Sequence, residues 1–164
     1  MRTRRLRLAR PALVVVLAGC GLALSGCGQS SSSSGSPSLA RLPLVSGASV
    51  LTQARQCDHG ANAYCAIEAV IVDPRASSSG ALVTSEYHQL RARGWTGAAG
   101  DNGDERAANS PGRRLRVTYS TAQGDLIGID LGWINRPWPI KWSLSRAMFA
   151  RTPAMSVMLE TGPA

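Results

Sequence analysis

Ten consecutive residues, 29–38, read QSSSSSGSPS and contain no apolar side chain. A stretch of that composition has nothing to bury and reads as a flexible spacer, so any hydrophobic core must be built from the residues beyond it. From about residue 42 onward the chain is globular in composition, with frequent turn residues and no internal repeat. The length of 164 residues fits one core, which usually takes about 100 to 200 residues. The expected layout is therefore residues 1–26 as a leader, 27–41 as a linker and 42–164 as a single domain.

The net charge of +8 points first to a nucleic-acid or membrane-surface partner. Position removes most of that signal. Five of the 18 basic residues, Arg2, Arg4, Arg5, Arg7 and Arg10, fall in the first ten positions, and all ten acidic residues lie beyond residue 27. The remainder holds thirteen basic side chains against ten acidic ones, a net of +3 without a Lys/Arg run, so nucleic acid is not an expected partner. Lys141 is the single lysine, and Ala and Gly abound, a bias that fits GC-rich coding such as that of an actinobacterium.

Residues 1–11, MRTRRLRLARP, are cationic, and residues 12–24, ALVVVLAGCGLAL, are apolar. This is the pattern of an export signal: the apolar run falls short of the roughly 20 residues that a bilayer span requires. It is followed by Leu24-Ser25-Gly26-Cys27, which resembles the lipobox of bacterial lipoproteins. The resemblance covers about the first 28 residues. It implies a diacylglyceryl thioether on Cys27, cleavage before that residue, and a protein held on the outer face of the cytoplasmic membrane. Small side chains at 25 and 26 suit a peptidase cleft, and a thiol is needed for the thioether. Leu17-Ala18-Gly19-Cys20 also fits the motif but would leave an apolar region of only about seven residues. One acyl chain gives marginal membrane attachment, whereas two or three hold firmly.

Once the leader is removed and Cys27 carries lipid, Cys57 and Cys65 are the remaining cysteines, and an oxidising compartment favours their pairing. A ring of nine residues contributes roughly 2 to 3 kcal/mol on the loop-entropy model. Asp58 and His59 between the thiols raise the alternative of a metal site. A site of that type needs four ligands, or three and water, and His88 stands apart on a predicted helix, so no metal or cofactor is expected.

Within the domain, residues 49–56 alternate moderately and read as a strand, with a short helix as the alternative. Residues 66–73, AIEAVIVD, are β-branched and end at Pro74, which predicts a strand. Ser77 to Ser79 offer caps for a helix over 80–93, with Val83, Tyr87 and Leu90 on one stripe and Gly94 as its stop. Asn102-Gly103 and Ser110-Pro111-Gly112 mark turns, and 113–121 alternates as a half-buried strand. Residues 125–131 fit either a strand or a helical turn. Ser143 can cap a helix running to Arg151, and Thr152-Pro153 can start another carrying Met155, Met158 and Leu159. The sum is an α+β fold: a small antiparallel sheet, one packed helix and short C-terminal helices.

No nucleophile elbow, His-Glu-x-x-His or phosphate loop is present, so a non-enzymatic binding or assembly module is the leading expectation. An envelope hydrolase or metal-dependent enzyme that uses His59 as a base is the alternative. Asp101, Asp104 and Glu105 lack EF-hand spacing and read as a solvated turn. The most suggestive segment is 133–142, where Trp133, Trp138 and Trp142 alternate with Arg136, Lys141 and two prolines. The prolines are expected to hold it extended. It is expected to serve either as a lid over the sheet or as a binding surface, for an envelope protein, a cell-wall glycan or a lipid interface.

Overall fold

A computed structural model of the chain describes residues 36–57, 65–101, 105–127 and 136–161. Among them, six strands form one antiparallel sheet, and helices cover both of its faces, an α+β architecture. The sheet begins with a hairpin of β1 (Ser49–Cys57) and β2 (Cys65–Val72). Cys57 stands directly opposite Cys65 in the register, and a disulfide joins them. Asp58 and His59, between the two cysteines, lie outside the described residues.

The chain then crosses the sheet as α1 (Ser79–Ala92). Its first turn is fixed by Ser78, whose Oγ accepts the Ala81 N–H at 3.1 Å. Its end is a Schellman motif. Gly94, at φ +79°, supplies the left-handed residue, the Trp95 N–H reaches the Leu90 carbonyl and the Gly94 N–H that of Arg91, both at 3.0 Å. Leu90 and Trp95 are buried together in the core, the hydrophobic contact that accompanies such caps.

β3 (Thr96–Gly97), β4 (Glu105–Asn109) and β5 (Leu115–Thr121) come next as a meander. A 3-10 turn at Pro111–Arg113 joins the last two, and Ser110 Oγ accepts the Leu115 N–H across it at 2.9 Å. Two helices lie between β5 and the last strand, α2 (Ala122–Ile127) and α3 (Trp138–Phe149). The stretch 125–131 thus begins inside a helix, capped by Thr121 Oγ1 on the Gly124 N–H at 3.0 Å; its last residues lie outside the described ones.

The final segment corrects the sequence expectation. The helix expected from Thr152-Pro153 is instead β6 (Ala154–Thr161), and it is a central strand: the sheet order is β1-β2-β6-β5-β4-β3. Met155, Met158 and Leu159 recur at helical spacing, but Ala154 to Leu159 are all buried because both faces of the strand are covered. Period-2 alternation disappears in such a strand, and it cannot then be told from a buried helix.

Two cores result. Ile71, Leu82, Leu90, Trp95, Val117, Tyr119, Val157 and Leu159 fill the space between α1 and one face of the sheet. Val70, Ala122, Ile140, Leu144, Ala147 and Ala154 fill the smaller space beneath α2 and α3 on the other. Leu42 and the residues around it close the α1 side. Val45 donates its N–H to Glu86 at 2.8 Å, and burial pushes that glutamate's pKa up to about 7.

Candidate functional site

Helix α3 begins earlier than the sequence suggested and replaces the expected extended segment. Pro137 occupies the N-cap and Pro139 the first turn, where a proline's missing N–H costs nothing and its fixed φ suits the helix. The helix therefore starts at Trp138 rather than after Ser143. It ends at Phe149, and Arg151 turns the chain away at φ +53°.

At 3.6 residues per turn, Trp138, Trp142 and Phe149 fall on one stripe, while Ile140, Leu144 and Ala147 fall on the other. The second set is buried against the sheet. The first set points to solvent: Trp138 is 72% exposed, Trp142 54%, and Phe149, the only phenylalanine in the chain, 91%. The two indoles stack with centroids 6.1 Å apart and planes 24° from parallel. Of the six large hydrophobic side chains exposed among the described residues, four lie on α3, since Met148 joins the aromatic three. A lid would have these rings over the sheet. Trp138 and Trp142 do the opposite, and Trp133 lies outside the described residues.

Cations flank the stripe. Lys141 and Arg146 are exposed on α3, and Arg151 is exposed just beyond it. Residues 131–159 contain no aspartate or glutamate, so no acid on this stretch of chain offsets them.

Arg136 does not belong to this surface, although the sequence grouped it there. Its side chain is 12% exposed and turns inward to two carboxylates. Its Nε lies 3.1 Å from Glu68 of β2, its Nη2 pairs with Asp125 of α2, and its Nη1 donates to the Asp125 carbonyl at 3.0 Å. This ion cluster fastens the start of α3 to the sheet. The physical cause is burial: Glu68 and Asp125 have side chains only 8% and 0% exposed and require a counter-charge.

A cleft of about 430 Å³ opens where the start of α1 meets the end of α3, lined by Ser77 to Gly80, Thr121, Gln123, Met148 and residues 151–153. It holds hydroxyls and one guanidinium, but no carboxylate, imidazole or thiol. Ser78 and Ser79 already accept backbone N–H groups, from Ala81 at 3.1 Å and Ala154 at 3.0 Å. Among the described residues no three His, Cys, Asp or Glu side chains gather as metal ligands, and no helix is long and apolar enough to cross a membrane. His88, on the exposed side of α1, stands edge-on to Tyr87 with ring centroids 5.4 Å apart. Asp101 pairs with Arg106 at 3.3 Å, as a structural turn would.

Compared with family models, curated proteins and solved structures, the chain finds no match, which leaves its own residues as the basis for a functional reading. Sequence reasoning found Trp138, Lys141 and Trp142 but missed Phe149, Arg146 and Arg151. The available signal was helical: Trp138, Trp142 and Phe149 stand at i, i+4 and i+11 within a run free of acids.

Proposed function

We propose that this protein is a lipid-tethered module of the bacterial envelope, held on the outer face of the cytoplasmic membrane through Cys27, and that it works by binding rather than by catalysis. The observation that carries the binding part is the outward face of α3. Three aromatic rings and two cations are displayed there on a helix whose other face is locked in the core, with Arg151 exposed just past its end. Such a concentration of exposed aromatic area marks an interaction surface, because a soluble domain loses stability little by replacing it with polar residues. The tether is supported by the lipobox-like Leu24-Ser25-Gly26-Cys27 behind a cationic and apolar leader, and by a disulfide at Cys57–Cys65 that suits an oxidising compartment.

The test is the state of the amino terminus in the native host. Mass spectrometry of the purified protein should find Cys27 first, carrying acyl chains, and detergent phase partitioning should place the protein with the lipid-modified fraction. Cys27→Ser should abolish both acylation and processing. A native chain that begins elsewhere, without fatty acid and in the soluble fraction, would overturn the reading.

A further inference from the structure

We propose that the outward face of α3 rests in the headgroup region of an anionic phospholipid bilayer, so that the domain lies flat against the membrane instead of hanging free on its tether. This deepens the proposed tethered function and rests on it for the presence of a bilayer within reach.

Three features of the helix and its surroundings select lipid as the occupant. The first is the kind of aromatic residue and its arrangement. Indole has an apolar body and a polar N–H, which places tryptophan at the boundary between water and acyl chains. Trp138 and Trp142 present a stacked pair of such rings, and Phe149 extends the same stripe with a ring that has no polar group to satisfy.

The second feature is charge. Lys141 and Arg146 flank the rings along α3, Arg151 is exposed just past its end, and no acid occurs anywhere in residues 131–159. A cationic rim around an aromatic stripe is complementary to anionic headgroups, with long side chains able to reach upward to phosphate while their stems lie along the apolar surface. A glycan platform requires directional acceptors beside the ring. Between Trp138 and Arg151 the hydroxyls of Ser143 and Ser145 are the only side-chain oxygens, and the surface is a convex helix rather than a pocket.

The third feature is reach. Pro37 follows Cys27 by ten positions, which a fully extended chain spans in at most about 36 Å. Pro37 is fixed where its carbonyl accepts the Arg55 Nη2 at 2.9 Å, at the edge strand β1 on the α1 side of the sheet. A packed layer is about 10 Å thick, so the tether can pass the β1 edge and still let α3, on the opposite side, meet the bilayer.

The processed protein, purified from host membranes, is placed on vesicles of equal parts phosphatidylglycerol and phosphatidylcholine whose acyl chains carry bromine, a short-range quencher of indole emission. Relative to unbrominated vesicles, emission should fall by roughly a third to a half, because two of the four indoles would lie at the quencher's depth. Trp138→Ser with Trp142→Ser should remove that loss. Lys141→Glu with Arg146→Glu keeps both indoles and should still float with the vesicles through the acyl anchor, yet lose most of the quenching. Emission that stays unquenched in a protein that floats overturns the proposal and leaves the tether standing, with a protein, a second copy or a glycan as the occupant of the face. Quenching that persists in the double Trp variant overturns it as well. If the purified chain carries no acyl group, the tethered reading falls, and the same vesicles added in excess still decide the α3 face: quenching upholds it and its absence overturns it.

Discussion

Glu86 of α1 accepts the N–H of Val45 at 2.8 Å across 41 residues of sequence, and the glutamate is 1% exposed. This bond helps to hold the segment before β1 onto the α1 face, beside the apolar contacts that Leu39, Leu42 and Leu44 make with the core. It does so with a carboxyl group that burial keeps protonated up to about pH 7, against an ordinary value of 4.5, with the Val45 N–H acting in the opposite direction. In the folded state this acid binds its proton more tightly than in the unfolded chain. Its contribution to stability is therefore complete below pH 4.5 and is lost as the pH rises through 7. The difference corresponds to about 3 kcal/mol. Glu86→Gln keeps an oxygen for Val45 and cannot ionise, so urea unfolding at pH 8 should show it more stable than the parent, with the gap closing at pH 5. A variant less stable at both values would contradict this account.

Arg136 is the counter-charge for two buried carboxylates, and its removal should be among the costliest single changes in the protein. Arg136→Met takes the guanidinium away from buried Glu68 and Asp125 and should lose about 3 to 5 kcal/mol. Adding Glu68→Gln and Asp125→Asn removes the stranded charges and should recover most of the loss. Chemical denaturation of the single and triple variants measures both.

The disulfide bridges directly opposed residues at the end of the β1–β2 hairpin where the two strands connect. Replacing Cys57 and Cys65 with Ala should lower stability by roughly 2 to 3 kcal/mol without changing the far-ultraviolet circular dichroism. Alkylation of the denatured, unreduced protein should leave both cysteines unlabelled.

The exposed rings of α3 contribute little to the fold. Trp138→Ala with Phe149→Ser should change stability by no more than about 1 kcal/mol, whereas Leu144→Ala on the buried face should cost about 2 to 5 kcal/mol. Thermal melts of the two proteins distinguish a surface stripe from a lid, for which both changes would be costly.

Leu159 sits in the strand that joins the two halves of the sheet, and it is fully buried. Leu159→Ala should cost about 2 to 5 kcal/mol, and deletion of residues 154–164 should abolish cooperative unfolding altogether.

Elements with strong local signals were legible in the sequence. The β-branched run ended by Pro74 is β2, and the Ser78 cap with the Gly94 stop bounds α1. The disulfide was legible from cysteine count. What escaped was non-local. β6 is buried on both faces by partners that lie far away in the chain, so its pattern carried no alternation. Arg136 resembles a surface cation beside tryptophans because Glu68 stands far before it in the chain and the intervening topology alone brings the two together. In the 133–142 segment two prolines suggest an extended backbone, although a proline at the start of a helix helps to begin one.

The place of β6 ties the sheet together through its least local pairings. Within the sheet, the β1–β2 hairpin and the β5-β4-β3 ribbon are hydrogen-bonded to one another only through β6, so neither half completes its ladder until that strand is in place. Joining them closes long loops of chain, which makes the docking of β6 the slow step of assembly and leaves two unpaired strand edges exposed until it happens.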